Sequence, residues 1–158
     1  MPPGEALPSL GALPVTHVGF AAANADTTAG LLAQLLGLMR PNVTEYKDSQ
    51  YPPDSKWNSR ASLRLTMLTL GGGGVEVIES VGGPTPWSEH VTRHHGTAAQ
   101  HIAINVGNRM NEMIRDLTAK GGKWTNGKPG GSYAYLDFTD TLGFVVELNG
   151  TSKSAGAN

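Results

Sequence analysis

Cysteine is absent from the 158 residues of this chain. That excludes disulfides and thiolate metal sites, so any bound metal must be held by nitrogen and oxygen. An excess of charge of either sign is also missing: 12 Lys and Arg stand against 13 Asp and Glu, a formal net charge of −1. No basic stripe is available for nucleic acid, and no nucleic-acid partner is expected. No apolar run approaches the roughly 20 residues of a membrane span, so no membrane partner is expected either. The opening M-P-P-G-E-A-L-P-S-L-G-A-L-P lacks the basic and apolar regions of a signal peptide and reads as a loose leader. A cytoplasmic location fits. Glycine and proline, by contrast, are plentiful, and many gather in the termini and in G-G-G-G, V-G-G-P and K-P-G-G, where they mark turns.

What is present is a repeated frame. V-T-H-V-G-F opens the first half and V-E-V-I-E closes it; A-Q-H-I-A-I-N-V opens the second half and V-V-E-L-N closes it. His17, Glu76, His101 and Glu147 therefore occupy corresponding places in two similar modules. Two His-plus-Glu units would give four ligands to one divalent ion.

The order of elements repeats too. Residues 1–14 read as a flexible tail, 15–80 as a first βαβββ module, 81–99 as a connector with a short helix, 100–150 as a second module and 151–158 as another tail. In the first module Asp26 is expected to cap a helix that runs to Leu36 and stops at Gly37. A polar loop over 39–59, with one short strand, precedes the alternating strand S-L-R-L-T-M-L-T-L. Four glycines, 71–74, then turn the chain. In the second module Met110, Met113, Ile114 and Leu117 share one helix face.

Strand parity argues for the ligands. Successive side chains of a strand point to opposite faces. His101 shares a face with Ala103 and Asn105, and Glu147 with Val145 and Asn149, while the other faces are apolar. Small neighbours leave room for a ligand, and a carboxylate on a buried strand is costly unless paired or metal-bound. Each residue alone reads more readily as an ordinary core His or a wet-face Glu. Four in matching frames favour the metal site. Glu79 is the register alternative to Glu76, on the opposite face. Two imidazoles and two carboxylates without sulfur suit one divalent ion, with Ni, Co, Mn, Fe, Zn and Mg all compatible.

These frames and the paired βαβββ order resemble the vicinal oxygen chelate superfamily, which includes glyoxalase I, methylmalonyl-CoA epimerase, extradiol dioxygenases and bleomycin-type resistance proteins. The resemblance covers residues 15–149. It implies an α+β fold in which two modules form a curled mixed sheet around a metal and substrate cavity. The His, Glu, His, Glu set matches the glyoxalase I pattern, while the connector T-P-W-S-E-H-V-T-R-H-H-G resembles that of the epimerases. The chain departs from the epimerases at their third-strand catalytic Glu: Arg64 falls near that place, and no acid occurs from Ser55 to Gly74.

The implied activity is that of a metal-dependent isomerase, epimerase or lyase. It would remove a proton next to a carbonyl, with the metal stabilising the enolate and Glu147 or Glu76 as base. The implied substrate is a small molecule with adjacent oxygens, or an acyl thioester, and the implied assembly a homodimer. Two alternatives stand: a non-heme iron dioxygenase of the same fold, and a non-enzymatic resistance-type binding protein. Expected substrate contacts are Tyr46 and Trp57 on the long loop, read as a lid; Arg64; Asn105 beside His101; and Tyr133 and Tyr135 on one strand face. His90, His94 and His95 are expected at the surface near Gly96.

Overall fold

A computed structural model describes residues 13–47, 51–52 and 54–151. Residues 1–12 and 152–158 of the expected tails, and parts of the expected lid, lie outside the described residues. In chain order the elements are β1 (Val15–Ala21), α1 (Ala25–Leu36), β2 (Thr44–Tyr46), β3 (Ser62–Leu70), β4 (Gly73–Val81), α2 (Pro86–Arg93), β5 (Ala98–Gly107), α3 (Met110–Ala119), β6 (Lys123–Gly127), β7 (Tyr133–Asp137), α4 (Thr139–Leu142) and β8 (Val145–Gly150).

All eight strands join one curled mixed sheet in the order β2-β3-β4-β1-β5-β8-β7-β6. Each half supplies four neighbouring strands, and each closes with a parallel pair: β1 with β4, and β5 with β8. The halves meet where β1 runs antiparallel to β5. The two modules therefore pair within a single chain.

Local chemistry sets the element ends. α1 begins two residues earlier than expected. Asn24, not Asp26, is its cap, and the Asn24 side chain accepts from Thr27 N at 2.8 Å. Asp26 sits in the first turn and pairs with Arg64 instead. At the far end Gly37 takes the left-handed conformation that stops a helix. The glycine run is also shorter as a turn than it reads. Gly73 and Gly74 belong to β4, where they pair with Leu70 and Thr69 of β3, and a side chain at 74 would press on Met67 Sδ and Leu68 O. α2 starts with a capping box between Thr85 and Ser88 and Pro86 at its first position. His90 is a correction to the surface reading. It is buried, and its Nε2 meets Ala99 O at 2.9 Å, whereas His94 and His95 are exposed.

Two cores lie behind the sheet and one in its hollow. α3 packs Met110, Met113 and Leu117 against Ile104, Leu136 and Leu148. Burying a side chain of that size contributes about 1.5–3 kcal/mol. α1 packs Ala25, Ala29 and Ala33 against Leu68 and Val77. The concave face gathers Leu63, Ile78, Trp87, Tyr135 and Val145. The described chain ends are tied down: Pro14 O accepts from Asn105 N, and Thr151 N donates to Gly107 O, each at 3.0 Å.

Candidate metal centre

The sheet register brings the four candidate ligands together in two rows. Across β4, β1 and β5 the first row reads Glu76, Gly19, His101. Across β1, β5 and β8 the second reads His17, Ala103, Glu147. Each row spaces a carboxylate and an imidazole by one small residue. The rows are related by exchanging the halves, so the ligands converge above the β1–β5 seam.

The ligand atoms of all four lie within 4.8 Å of one another. His17 Nε2 is 2.9 Å from Glu147 Oε2 and 3.5 Å from Glu76 Oε2. His101 Nε2 is 3.2 Å from Glu147 Oε2 and 3.4 Å from Glu76 Oε2. The two rings stand edge to face, centroids 5.5 Å apart. Glu76 Oε2 and His101 Nε2 are buried and make no hydrogen bond with the described residues. Buried polar atoms left unpaired are costly, and a shared divalent cation would satisfy both. Such nitrogen and oxygen donors, without sulfur, suit the hard and borderline divalent ions. The cluster fits a metal on these grounds, and the metal's identity is open.

A second layer orients both rings. Gln100 Oε1 is 2.6 Å from His101 Nδ1. Thr16 Oγ1 is 3.2 Å from His17 Nδ1 and donates its own proton to Ala103 O at 3.3 Å. With each Nδ1–H donated outward, each Nε2 lone pair faces the centre, as ligation requires. Gly19 makes the room. A Cβ there would fall 1.8–2.3 Å from the His101 ring atoms, so only glycine lets the ring lie across β1.

Electrostatics couple the four groups. Burial disfavours a charged His17, yet the adjacent carboxylates of Glu147 and Glu76 outweigh it and raise its pKa to about 9. The same balance raises His101. Burial opposes ionisation of Glu76, but His101 and His17 lower it to about 2. Glu147 is lowered for the same reasons. In the absence of a cation the carboxylates thus hold protons on the imidazoles, and a metal must displace them. Burial, then the charges of Glu147 and Glu76, push the Tyr135 phenol well above its usual range, so it stays a hydrogen-bond donor.

Beside the cluster opens a cavity of about 430 Å³. Glu76 and Glu147 form part of its wall, with Leu63, Leu65, Ile78 and Trp87 and the polar Asn126, Ser132 and Asn149. Of the expected substrate contacts, Tyr46, Tyr133 and Tyr135 line it. Three others lie elsewhere. Arg64 points to the opposite face, where it pairs with Asp26 and, at 2.9 Å, with Glu79. Glu79 also accepts from Ala25 N, so it anchors α1 on the face opposite the cluster. Trp57 lies under Lys56, near Glu89 and away from the cavity. Asn105 is exposed and its Oδ1 accepts from Gly107 N. The reading from sequence missed Thr16, Gln100 and Gly19. Their signal was present: both frames place a polar residue just before the His and a small one two places after it.

The paired halves and the ligand seam define the class. Residues 16–135 match the model of the Glyoxalase/Bleomycin resistance protein/Dioxygenase superfamily, and the chain belongs to that superfamily. The match spans His17, Glu76 and His101 and ends before Glu147. Among curated proteins none matches the chain in sequence. Among solved structures it is similar to a hypothetical protein from Bacillus halodurans, with TM-score 0.58 and 17% identity over 92% of this chain and 99% of that one. It is also similar to methylmalonyl-CoA epimerase from Mycobacterium tuberculosis, with TM-score 0.55 and 17% identity over 87% of each. The Streptomyces coelicolor epimerase, solved with 2-nitronate-propionyl-CoA, gives TM-score 0.51 and 19% identity over 88% of this chain and 98% of that one. At these identities the likeness is one of fold. No described helix is long and apolar enough to cross a membrane.

Proposed function

We propose that the protein is a divalent-metal-dependent isomerase, epimerase or lyase that removes a proton next to a carbonyl. One observation carries this reading: Glu76 and Glu147 belong both to the ligand cluster and to the cavity wall. They are the groups of the centre that reach a bound molecule. A divalent ion held by His17, Glu76, His101 and Glu147 would supply Lewis-acid stabilisation of the charge that grows on the substrate oxygens.

The chain's own residues do the rest. Glu147 takes the α-proton at a carboxylate oxygen; the proton then passes to the Glu76 carboxylate, its counterpart in the other row, which returns it to the other carbon or face. No acid competes for this task on β3, whose cavity side carries Leu63 and Leu65. Tyr135, paired in register with Glu147, offers its phenol proton to a substrate oxygen. Leu63, Ile78 and Trp87 exclude water from the reacting carbon, which strengthens each of these interactions. A cytoplasmic homodimer completes the proposal. The exposed Leu31, Leu35 and Met39 on and just after α1 support a second copy there, which sedimentation equilibrium tests.

The decisive experiment replaces Glu147 by Gln and follows solvent deuterium entering the α-carbon of α-hydroxy ketones and acyl thioesters. The expected loss is about two to four orders of magnitude with metal content retained, the usual worth of a general base. Exchange at the wild-type rate would place the base elsewhere.

A further inference from the structure

We infer that the cavity selects an uncharged molecule, apolar or aromatic in body with two adjacent oxygens, and rejects one bearing a free carboxylate. This rests on the reading of the site as a metal centre with a substrate cavity.

Charge carries the inference. Among the described residues that line the cavity, Glu76 and Glu147 are the charged ones. With neutral imidazoles, two carboxylates and a divalent ion sum to a formal charge of zero. Such a centre carries no net charge to draw an anion into the part of the cavity beyond the ion's direct reach. The nearest strand that carries a guanidinium, β3, turns it away: Arg64 is committed on the opposite face to Asp26 and Glu79. A substrate carboxylate lying in the cavity beyond the centre would be desolvated without a cation to meet it, which is costly.

The remaining surface says what is welcome. Leu63, Leu65, Ile78 and Trp87 offer apolar wall, and Tyr133 and Tyr135 stand edge to face, centroids 6.0 Å apart. Asn126, Ser132 and Asn149 supply neutral hydrogen-bonding groups. A volume of about 430 Å³ holds a ring and a short chain.

The test loads the full chain with cobalt and titrates it with 2-hydroxyacetophenone and with the 4-carboxylate of the same compound. Both offer the same carbonyl and hydroxyl, and they differ by one charge. Binding is read from the cobalt absorption bands and from calorimetry. The neutral probe is expected to bind at least about tenfold more tightly, since even a modest unpaired-charge penalty exceeds that factor. Equal or tighter binding of the carboxylate overturns the inference, and so does failure of both probes to bind cobalt-loaded protein. Leu65→Lys places a cation on the half-buried wall and should raise affinity for the carboxylate. A folded, cobalt-loaded variant without that gain also overturns it. Failure to load cobalt at all would instead count against the metal centre itself.

Discussion

The two halves of the molecule agree closely on one face and differ on the other. On the concave face His17 corresponds to His101 and Glu76 to Glu147, each pair related by the exchange of β1 with β5 and β4 with β8. Behind the sheet, α3 buries Met110, Met113 and Leu117, whereas α1 buries only Ala25, Ala29 and Ala33 and leaves Leu31 and Leu35 63% and 79% exposed. Four ligands around one centre must match in position and chemistry. A helix on the back of a sheet need only fill space, and small or large side chains do so at different distances.

Equivalence on the concave face is itself imperfect, and that offers the sharpest way to break the comparison. Gly19 and Ala103 hold corresponding places between ligands. Only at Gly19 does a ligand ring occupy the space of a side chain. Gly19→Ala should push His101 out of line. It should cut metal affinity by at least about tenfold, the scale of a lost ligand-orienting contact. Ala103→Gly should cost only about 0.5–1 kcal/mol of stability and leave metal affinity near wild type. Metal titration and thermal melts of both variants check this.

The helices give the next contrast. Met113→Ala leaves a cavity in a packed core and should cost about 2–5 kcal/mol. Leu35→Ala, at an exposed position of α1, should stay within about 0.5 kcal/mol in a monomer. Denaturant unfolding of the two variants measures the difference.

A smaller effect lies in pH. In metal-free protein the His17 pKa is raised to about 9, so its contribution is full below its ordinary 6.5 and is lost as pH rises through about 9. The Glu76 pKa is lowered to about 2, so its contribution is full above its ordinary 4.5 and is lost as pH falls through about 2. Metal-free protein should thus be most stable between these ordinary values and weaken toward alkaline pH. Saturating divalent metal should remove that alkaline weakening, because ligation needs both imidazoles deprotonated. Melting temperatures across pH, with and without metal, show whether it does.

Much of this is legible in the sequence. Strand parity puts Glu76 and Glu79, three residues apart, on opposite faces, and the match of frames with Glu147 favours Glu76. The helix face of α3 was legible because its apolar spacing is regular. What stayed hidden depends on contacts between distant segments. Arg64 turns from the cavity because Asp26 and Glu79 meet it on the far side. His90 is buried because α2 folds it onto Ala99. None of these partners is adjacent in sequence, so no local pattern announces them.

The central claim is that one divalent ion sits at the seam of the two halves, held by a His and a Glu from each. The direct measurement is metal content and affinity of purified wild-type protein and of His101→Ala at one pH above neutrality. The account predicts about one ion per chain in the wild type and at least a tenfold loss of affinity in the variant, since a direct ligand is removed. Unchanged metal content and affinity in His101→Ala would contradict it.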